Sequence, residues 1–393
     1  MEIKNLRKAA KRIIKAVRKK ENIIIYGDSD MDGVSSLVVI EETINRIGGK
    51  VCAVYFPERE KEGYGINQEA LKLLKKFSPA LFITVDCGIS NFDEIKKANE
   101  MGFEVVIVDH HESLDEIPKA SIIVDPKQKT DHYPFKGLCA AGVCYKLAEL
   151  ILIENQEGNK KKILKENFLF LEGFLDIVAL ATIADMVPLK EDNEKMVKKG
   201  LGNLLNTSRP GLQALIELTG FDNRGLSEVQ SKITSALNSS KHRGHLNEIY
   251  ILLTEKSFSK AEETALGLIK NSREKRREIK RIFSEIDSKV KDSDLIVFEG
   301  GKDWPLITLG SIASRLVGKY QKPTFLYKIQ KEDSQGSVRN PKDVNGVEAM
   351  SYCKELLKMY GGHAPASGFR IKNKNLNKFK KCLKEYFKKH GEI

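Results

Sequence analysis

The chain is short of the features that would place it in a membrane, on an export route or in a zinc-dependent fold. No run approaches the roughly 18 consecutive apolar residues of a membrane span. The N-terminus, MEIKNLRKAAKRIIKAVRKK, is basic and amphipathic but lacks an apolar signal core and a small-residue cleavage site, which argues against export. The cysteines, Cys52, Cys87, Cys139, Cys144, Cys353 and Cys382, form no CxxC pair and no zinc spacing. That is the pattern of reduced thiols in a cytoplasmic protein. Cys87, beside Asp86, reads as a small buried residue rather than a nucleophile. A Walker lysine loop, a dinucleotide glycine fingerprint, a nucleophile elbow and internal repeats are all missing, so no nucleotide cofactor is expected.

What is present is an ordinary globular composition with a positive excess. The 393 residues are 41% hydrophobic, enough for two domains of the usual size. Lys and Arg number 66 against 54 Asp and Glu, a net charge of +12, which favours polyanionic partners. Much of the excess lies at the two ends, in residues 1–20 and 371–393. Two readings stay open for these ends: solvated helix faces, or a surface for nucleic acid.

Short apolar runs alternate with amphipathic stretches through the first third. IIIYG (23–27), VCAVYF (51–56), LFITVDCG (81–88), EVVIVDHH (104–111) and SIIVD (121–125) read as buried strands, and the alternation predicts a parallel sheet covered by helices. From about 136 to 250 the pattern is mostly helical, and a long charged helical stretch follows over 255–292. A second α/β unit is expected from LIVFEG (295–300), PTFLYKIQ (323–330) and ASGFRI (366–371).

The acids and histidines gather where strands end. GDSDMDG places Asp28, Asp30 and Asp32 on alternating positions, which in an extended segment point to one side. Three such charges repel, and a divalent cation is the usual remedy. LFITV ends in Asp86, and EVVIV ends in Asp109, His110 and His111, so separate strands deliver ligands to one sheet edge, where open α/β sheets bind. Asp185, in the apolar ATIADMVPL, needs a partner. An EF-hand loop is excluded, because Val39 stands where its twelfth-position Glu belongs. Carboxylate and imidazole without thiolate favour Mn²⁺ or Mg²⁺ over structural zinc, and two such ions in a basic protein point to phosphoester hydrolysis.

GDSDMDG, VDCG, VDHH and IADMVPL, in that order, resemble the four motifs of the DHH phosphoesterases. GGHAPASGF (361–369) is similar to the glycine-rich signature of their associated C-terminal domain. Asp28, where many members carry His, is typical of the RecJ-like nucleases. EGYGIN (62–67), YPFKGLCAAGV (133–143), ITSALNSS (233–240), ASRLVGKY (313–320) and GSVRN (336–340) also resemble RecJ segments.

The resemblance implies an α/β fold: an N-terminal parallel-sheet DHH domain (1–250), a helical connector (251–292) and a smaller C-terminal α/β DHH-associated domain (293–393). It implies a metal-dependent exonuclease with two Mn²⁺ ions, Mg²⁺ being an alternative. Asp28, Asp30 and Asp86 resemble the ligands of one ion, and Asp32, Asp86, His110 and Asp185 those of the other. His111 resembles the residue that contacts the scissile phosphate, and Asp109 the carboxylate that orients an imidazole. Arg315, Ser337 and Arg339 resemble a pocket for a terminal phosphate. Gly361, Gly362 and His363 resemble a loop closing over the substrate, and Asn238 a conserved asparagine of the family.

The chain reads LNSSKHRGH where the family favours LNAAGRLG. Lys241, His242 and Arg243 therefore compete for the role of the family arginine, with Arg243 taken as a substrate contact. The implied substrate is single-stranded DNA, degraded 5′→3′ in repair or replication. The alternatives are a 3′→5′ exonuclease on single-stranded RNA or DNA, a short-oligonucleotide phosphatase, or a non-catalytic replisome scaffold. The compact size resembles archaeal RecJ-like proteins, some of which join the replicative helicase assembly through its GINS complex.

Overall fold

The computed structural model of the chain describes residues 2–113, 116–155, 160–362 and 364–390. These form two compact units, residues 1–272 and 273–393, and the long helix Phe258–Asp287 contains the division between them.

The first unit is built on a five-stranded, all-parallel sheet in the order β2-β1-β3-β4-β5, with β1 Asn22–Gly27, β2 Ala53–Tyr55, β3 Ala80–Val85, β4 Phe103–Val108 and β5 Ile122–Val124. The strands are apolar at nearly every position because both faces are covered. Ile23, Ile25, Leu81, Ile83, Val106 and Val108 face one core, shared with α1 (Leu6–Arg18), α2 (Met31–Arg46) and the helices Ala140–Glu154 and Leu175–Ala184. Ile24, Tyr26, Phe82, Val105 and Ile107 face the other, shared with the helices Gln68–Leu74 and Phe92–Glu100. The order of strands reverses between β1 and β3, which opens a crevice at their carboxyl ends.

The helical stretch Lys165–Ala184 is long and apolar enough to cross a membrane by length and composition, but most of it is buried. Its second half is a core helix, and its Asp176 accepts hydrogen bonds from Thr207 Oγ1 (2.5 Å) and the Ile177 amide (2.7 Å). Buried Arg209 stands opposite. It pairs with both oxygens of Glu42 at 2.9 and 3.0 Å, donates to the Leu253 carbonyl at 3.2 Å and lies 3.9 Å from Asp176. It thereby ties α2 to the helix that ends at Asp185.

Part of the helical stretch read over 136–250 is not helix. A small hairpin, β6 His242–Arg243 and β7 Leu246–Asn247, turns at Gly244, whose φ of 67° lies in the left-handed region.

The second unit carries a mixed sheet, ordered β11-β12-β10-β9-β8, with β8 Val297–Gly301, β9 Thr324–Ile329, β10 Asp333–Arg339, β11 Leu357–Gly362 and β12 Ala366–Lys372. Only β8 and β9 run parallel. Phe298, Phe325, Phe369 and Phe379 fill its core beneath the final helix Leu376–His390.

The expectation of six reduced thiols is corrected here. Cys353 and Cys382 form a disulfide, with Cα atoms 6.1 Å apart. The helix Gly346–Tyr352 packs on the final helix and brings together two cysteines 29 residues apart, a pairing that sequence spacing does not display. Cys52, Cys87, Cys139 and Cys144 are free thiols, and the last three are buried.

Candidate metal centre

Three of the carboxylates at the crevice are placed by how strands end. Asp28 succeeds β1 and donates its amide to Val85 O, Asp86 succeeds β3 and donates to Val108 O, and Asp109 succeeds β4 and donates to Val124 O, at 3.0–3.3 Å. The backbone ladder thus extends one residue past each strand and fixes three carboxylates at the crevice. Asp86 adopts φ 60°, a left-handed conformation rare outside glycine and costly wherever it is held.

The segment Asp28–Asp32 is not extended, as alternation had implied. Asp30 is the N-cap of α2, its Oδ1 accepting the amides of Asp32 (3.0 Å) and Gly33 (3.1 Å), and Asp32 sits in the first helical turn. The competing influence is the capping preference of Asp, which starts a helix where a strand was expected to continue. Gly33 is required by space, since a Cβ there would lie 2.4 Å from the Asp28 carbonyl oxygen. Asp32 reaches across to the N-terminus of the helix Ala140–Glu154 and accepts the amides of Ala140 (2.7 Å) and Ala141 (2.8 Å). The GLCAAGV segment supplies those amides.

Ligand atoms of Asp28, Asp30 and Asp86 lie within 4.8 Å of one another, as do those of Asp32, His110 and Asp185, and those of Asp86, His110 and His111. Asp185 closes the C-terminal end of the helix Leu175–Ala184. His110 Nδ1 lies 3.1 Å from the Leu138 carbonyl, which can only accept, so geometry places the proton there and leaves Nε2 as a lone pair. That lone pair faces Asp86 Oδ1 at 3.2 Å, Asp32 Oδ2 at 3.7 Å and Asp185 Oδ2 at 3.8 Å. His110 Nε2, Asp86 Oδ1 and Asp185 Oδ2 are buried without a hydrogen-bond donor. Acceptors aimed at one another in a buried site call for a cation between them, so the residues fit a divalent ion of the Mn²⁺ or Mg²⁺ class.

The electrostatics agree. Burial, reinforced by Asp32, Asp30, Asp28 and Asp109, pushes the Asp86 carboxyl well above the usual carboxylate range, and burial with Asp185 and Asp30 does the same to Asp32. Burial and then Asp30 bring Asp185 up to about 6, while burial holds the His110 imidazole down at about 4.

Arg59, which the sequence reading did not single out, sits on the first cluster. Its Nε donates to Asp28 Oδ1 at 3.0 Å, and its Nη2 contacts Asp28 Oδ2 and, at 2.9 Å, Asp30 Oδ2. A cation thus stands among the ligands of the first set, further testimony to what the cluster accommodates. Tyr64 stacks against this guanidinium at 5.6 Å, and its hydroxyl lies 3.2 Å from the Asp86 carbonyl and 3.2 Å from His111 Nε2. EGYGIN resembles a family segment, and the Arg three residues ahead of it is the sequence signal for this contact.

Asp109 is not in the ligand clusters. Its Oδ1 accepts from the His110 amide (2.8 Å), the His111 amide (3.2 Å) and His111 Nδ1 (2.7 Å), and its Oδ2 from the Ile89 amide (3.0 Å). Burial works against its charge, but His111 and the Ile89 amide prevail and hold it at about 2. The His111 ring is thereby oriented toward the crevice. Asp109→Asn should slow hydrolysis by about 10–100-fold, the usual cost of losing a partner that orients a site imidazole. Calorimetric titration should show Mn²⁺ still bound, and loss of binding would instead make Asp109 a ligand.

Of the residues expected to contact substrate, the hairpin sorts its own. His242 Nε2 approaches Ser29 Oγ at 3.4 Å, and the neighbouring Asn247 donates to the Ser29 carbonyl at 2.7 Å. Arg243 turns instead to Glu248, 3.3 Å away. Of the three competing residues, His242 is the one that reaches the aspartate loop. Asn238 ends the short helix Ser235–Leu237.

In the second unit, Ser337 and Arg339 are two apart on β10 and share one face. Arg315 is exposed on the helix Leu306–Tyr320, which packs on β10, and Gly310 of that helix leaves the room that the Arg339 guanidinium occupies. Gly361 and Gly362 end β11, paired with Gly368 and Ser367. His363 lies outside the described residues.

The DHH family N-terminal domain matches residues 22–182 and the DHHA1 domain residues 292–389. The single-stranded-DNA-specific exonuclease RecJ of Bacillus subtilis is 34% identical over 397 residues, covering 98% of this chain and 48% of that protein. The protein of the same name from Thermus thermophilus is 28% identical over 390 residues, covering 98% and 55%. The chain therefore spans about half the length of these curated relatives. A crystal structure of exonuclease RecJ bound to manganese matches with a TM-score of 0.83 and 26% identity, covering 98% of this chain and 95% of that one. With both of its domains matched in order, on an aspartate-histidine cluster at the crevice of a parallel sheet, the chain belongs to the DHH superfamily and is RecJ-like.

Proposed function

We propose that the protein is a divalent-metal-dependent exonuclease that degrades single-stranded DNA from the 5′ end. The observation that carries this reading is the pair of ligand sets joined through Asp86, on a chain similar to RecJ over nearly all its length. Asp28, Asp30 and Asp86 would hold one ion, and Asp32, Asp86, His110 and Asp185 the other. Two ions so held would lower the pKa of a bound water and neutralise charge on a phosphodiester undergoing displacement.

The chain's own residues do the rest. Asp109 fixes the His111 ring through Nδ1, and Nε2, which shares the Tyr64 hydroxyl in this structure, would meet a phosphate oxygen. Tyr64, edge-on to His111 at 5.7 Å between ring centroids, limits how that ring can turn. In the second unit, Arg339 is half-buried and has no carboxylate partner among the described residues, and burial lowers its pKa. A guanidinium of this kind, with Ser337 beside it on the same strand face, suits a terminal phosphate, whose oxygens it meets in pairs. Recognition of a 5′ phosphate is what favours 5′→3′ polarity.

Time courses on single-stranded DNA and RNA, labelled separately at each end with Mn²⁺ or Mg²⁺ supplied, test this directly. The expected result is release of mononucleotides from 5′-phosphorylated DNA, abolished by a chelator and restored by Mn²⁺. Degradation stopped by a 3′ block but indifferent to the 5′ phosphate would reverse the polarity and leave the metal centre standing.

A further inference from the structure

The helix α1, LRKAAKRIIKAVR, contains six cations and no carboxylate. Lys4, Lys8, Lys11, Lys15 and Lys19 recur at intervals of four, three, four and four, which places them on one stripe of the helix and its flanks. All five are exposed, while Leu6, Ala9, Ala10, Ile13, Ile14 and Ala16 bury the opposite face.

The two arginines nearest the stripe are occupied, Arg7 by Glu2 and Glu154, Arg12 by Glu21 and Glu104. The side chains of Lys8, Lys11 and Lys19 make no ion pair or hydrogen bond among the described residues, and Lys15 makes no contact closer than the longer-range attraction of Glu104.

Such a pattern works against the helix that bears it. Cations in the first turn oppose the macrodipole, and like charges four apart repel. Two other helices of this unit avoid the penalty: Phe92–Glu100 opens with Asp93 and Glu94, and Glu191–Leu204 with Glu191, Asp192 and Glu194, whereas Lys160–Glu172 also opens on lysines. What sets α1 apart is the continuation of its lysines along one exposed stripe over the whole helix. Its direction is informative too. The Asn5 side chain donates to the Ile123 carbonyl at 2.9 Å and the Lys4 amide to Asp131 at 2.6 Å, so the stripe begins beside the carboxyl end of β5. That is the sheet edge that carries Asp109 and the ligand clusters. From there α1 runs down to Arg18, ahead of the start of β1.

We propose that the lysine stripe of α1 is a track for the phosphate backbone of a single nucleic-acid strand, leading away from the metal centre along the flank of the first unit. The inference deepens the proposed function and rests on its reading of a single-stranded substrate.

The test is binding, by fluorescence anisotropy in chelator, of oligothymidylates of about thirty and about six nucleotides to the full chain and to a Lys8→Gln/Lys11→Gln/Lys15→Gln variant, over a range of salt. At roughly 0.7 released ions per phosphate contact on single strands, three lost contacts should flatten the logarithmic salt slope by about two. The longer strand should lose at least about tenfold in affinity, and the shorter one far less. A variant with Lys378→Gln, Lys381→Gln and Lys388→Gln, three exposed lysines of the final helix, lowers the net charge equally and should leave that ratio alone.

An unchanged long-strand affinity in a variant that melts like wild type overturns the track. So does an equal loss in the second variant, which would make the effect one of overall charge. Failure of the wild type to hydrolyse strands it binds through the stripe would count against the exonuclease reading while sustaining the track. Hydrolysis without any contribution from the stripe would do the reverse.

Discussion

Asp86→Asn should leave a folded protein with no useful hydrolytic activity, a loss on the order of a thousandfold or more, because in the proposed function one carboxylate serves both ligand sets. Asn is the informative replacement, since it tolerates the left-handed backbone that Asp86 adopts at φ 60° better than Ala does. The same substitution should raise the melting temperature of the protein in chelator. Asp86 is buried, and its charge is opposed by Asp32, Asp30, Asp28 and Asp109, so a neutral amide removes a repulsion that folding otherwise has to overcome. Added Mn²⁺ should then stabilise the variant much less than it stabilises wild type. Calorimetry with and without the ion reads both effects. A variant that hydrolyses DNA in chelator, or gains as much stability from Mn²⁺ as wild type, would dismantle the two-ion arrangement.

The second large effect is expected far from the chemistry. Arg209 is buried against Glu42 and close to Asp176. Arg209→Met would leave Asp176 buried with no counter-charge, and breaking a buried pair in this way costs about 3–5 kcal/mol. For a domain of this size each kcal/mol shifts the melting temperature by roughly 2–4 °C, so thermal scans should show a drop of about 10 °C. Arg209→Lys should recover only part of it, because an ammonium cannot meet both oxygens of Glu42 at once as the guanidinium does. Arg209→Met combined with Asp176→Asn should recover more. A drop of only a degree or two in Arg209→Met would mean that water replaces the guanidinium and that the pairing contributes little.

Much of the first unit is legible in its sequence for a physical reason. Strands buried on both faces must be apolar throughout, so IIIY, LFITV and EVVIV stand out from their polar surroundings. The acids that follow them are visible for the same reason, since a charge directly after such a run lies at a sheet edge. The aspartate loop departs from its sequence pattern in one respect. Alternation suggested an extended chain, whereas Asp30 caps a helix, and the three carboxylates converge through a strand end, a cap and a first turn.

Other features depend on tertiary contacts that spacing does not encode. Arg59 meets Asp28 and Asp30 only because β2 lies beside β1. The Cys353–Cys382 bond depends on two helices packing in the second unit. The strands β10 and β11 do not show as strands in the sequence: DSQGSVR and LKMYGG are polar or glycine-rich, β10 being buried between two neighbouring strands despite that composition and β11 being held by its pairing with β12.

The two hydrogen bonds that Asp32 receives from Ala140 and Ala141 have a thermodynamic consequence for whatever ion the centre takes. A carboxylate on a free side chain must surrender rotamer freedom when it coordinates, and that loss subtracts from affinity. Here one helix has its ligand immobilised by the N-terminal amides of another, so the loss is incurred once, when the two helices dock. The amides that fix Asp30 act in the same sense. Ordering of the cage thus belongs to the folding equilibrium rather than to the binding equilibrium, and an arriving ion meets donors already set in place.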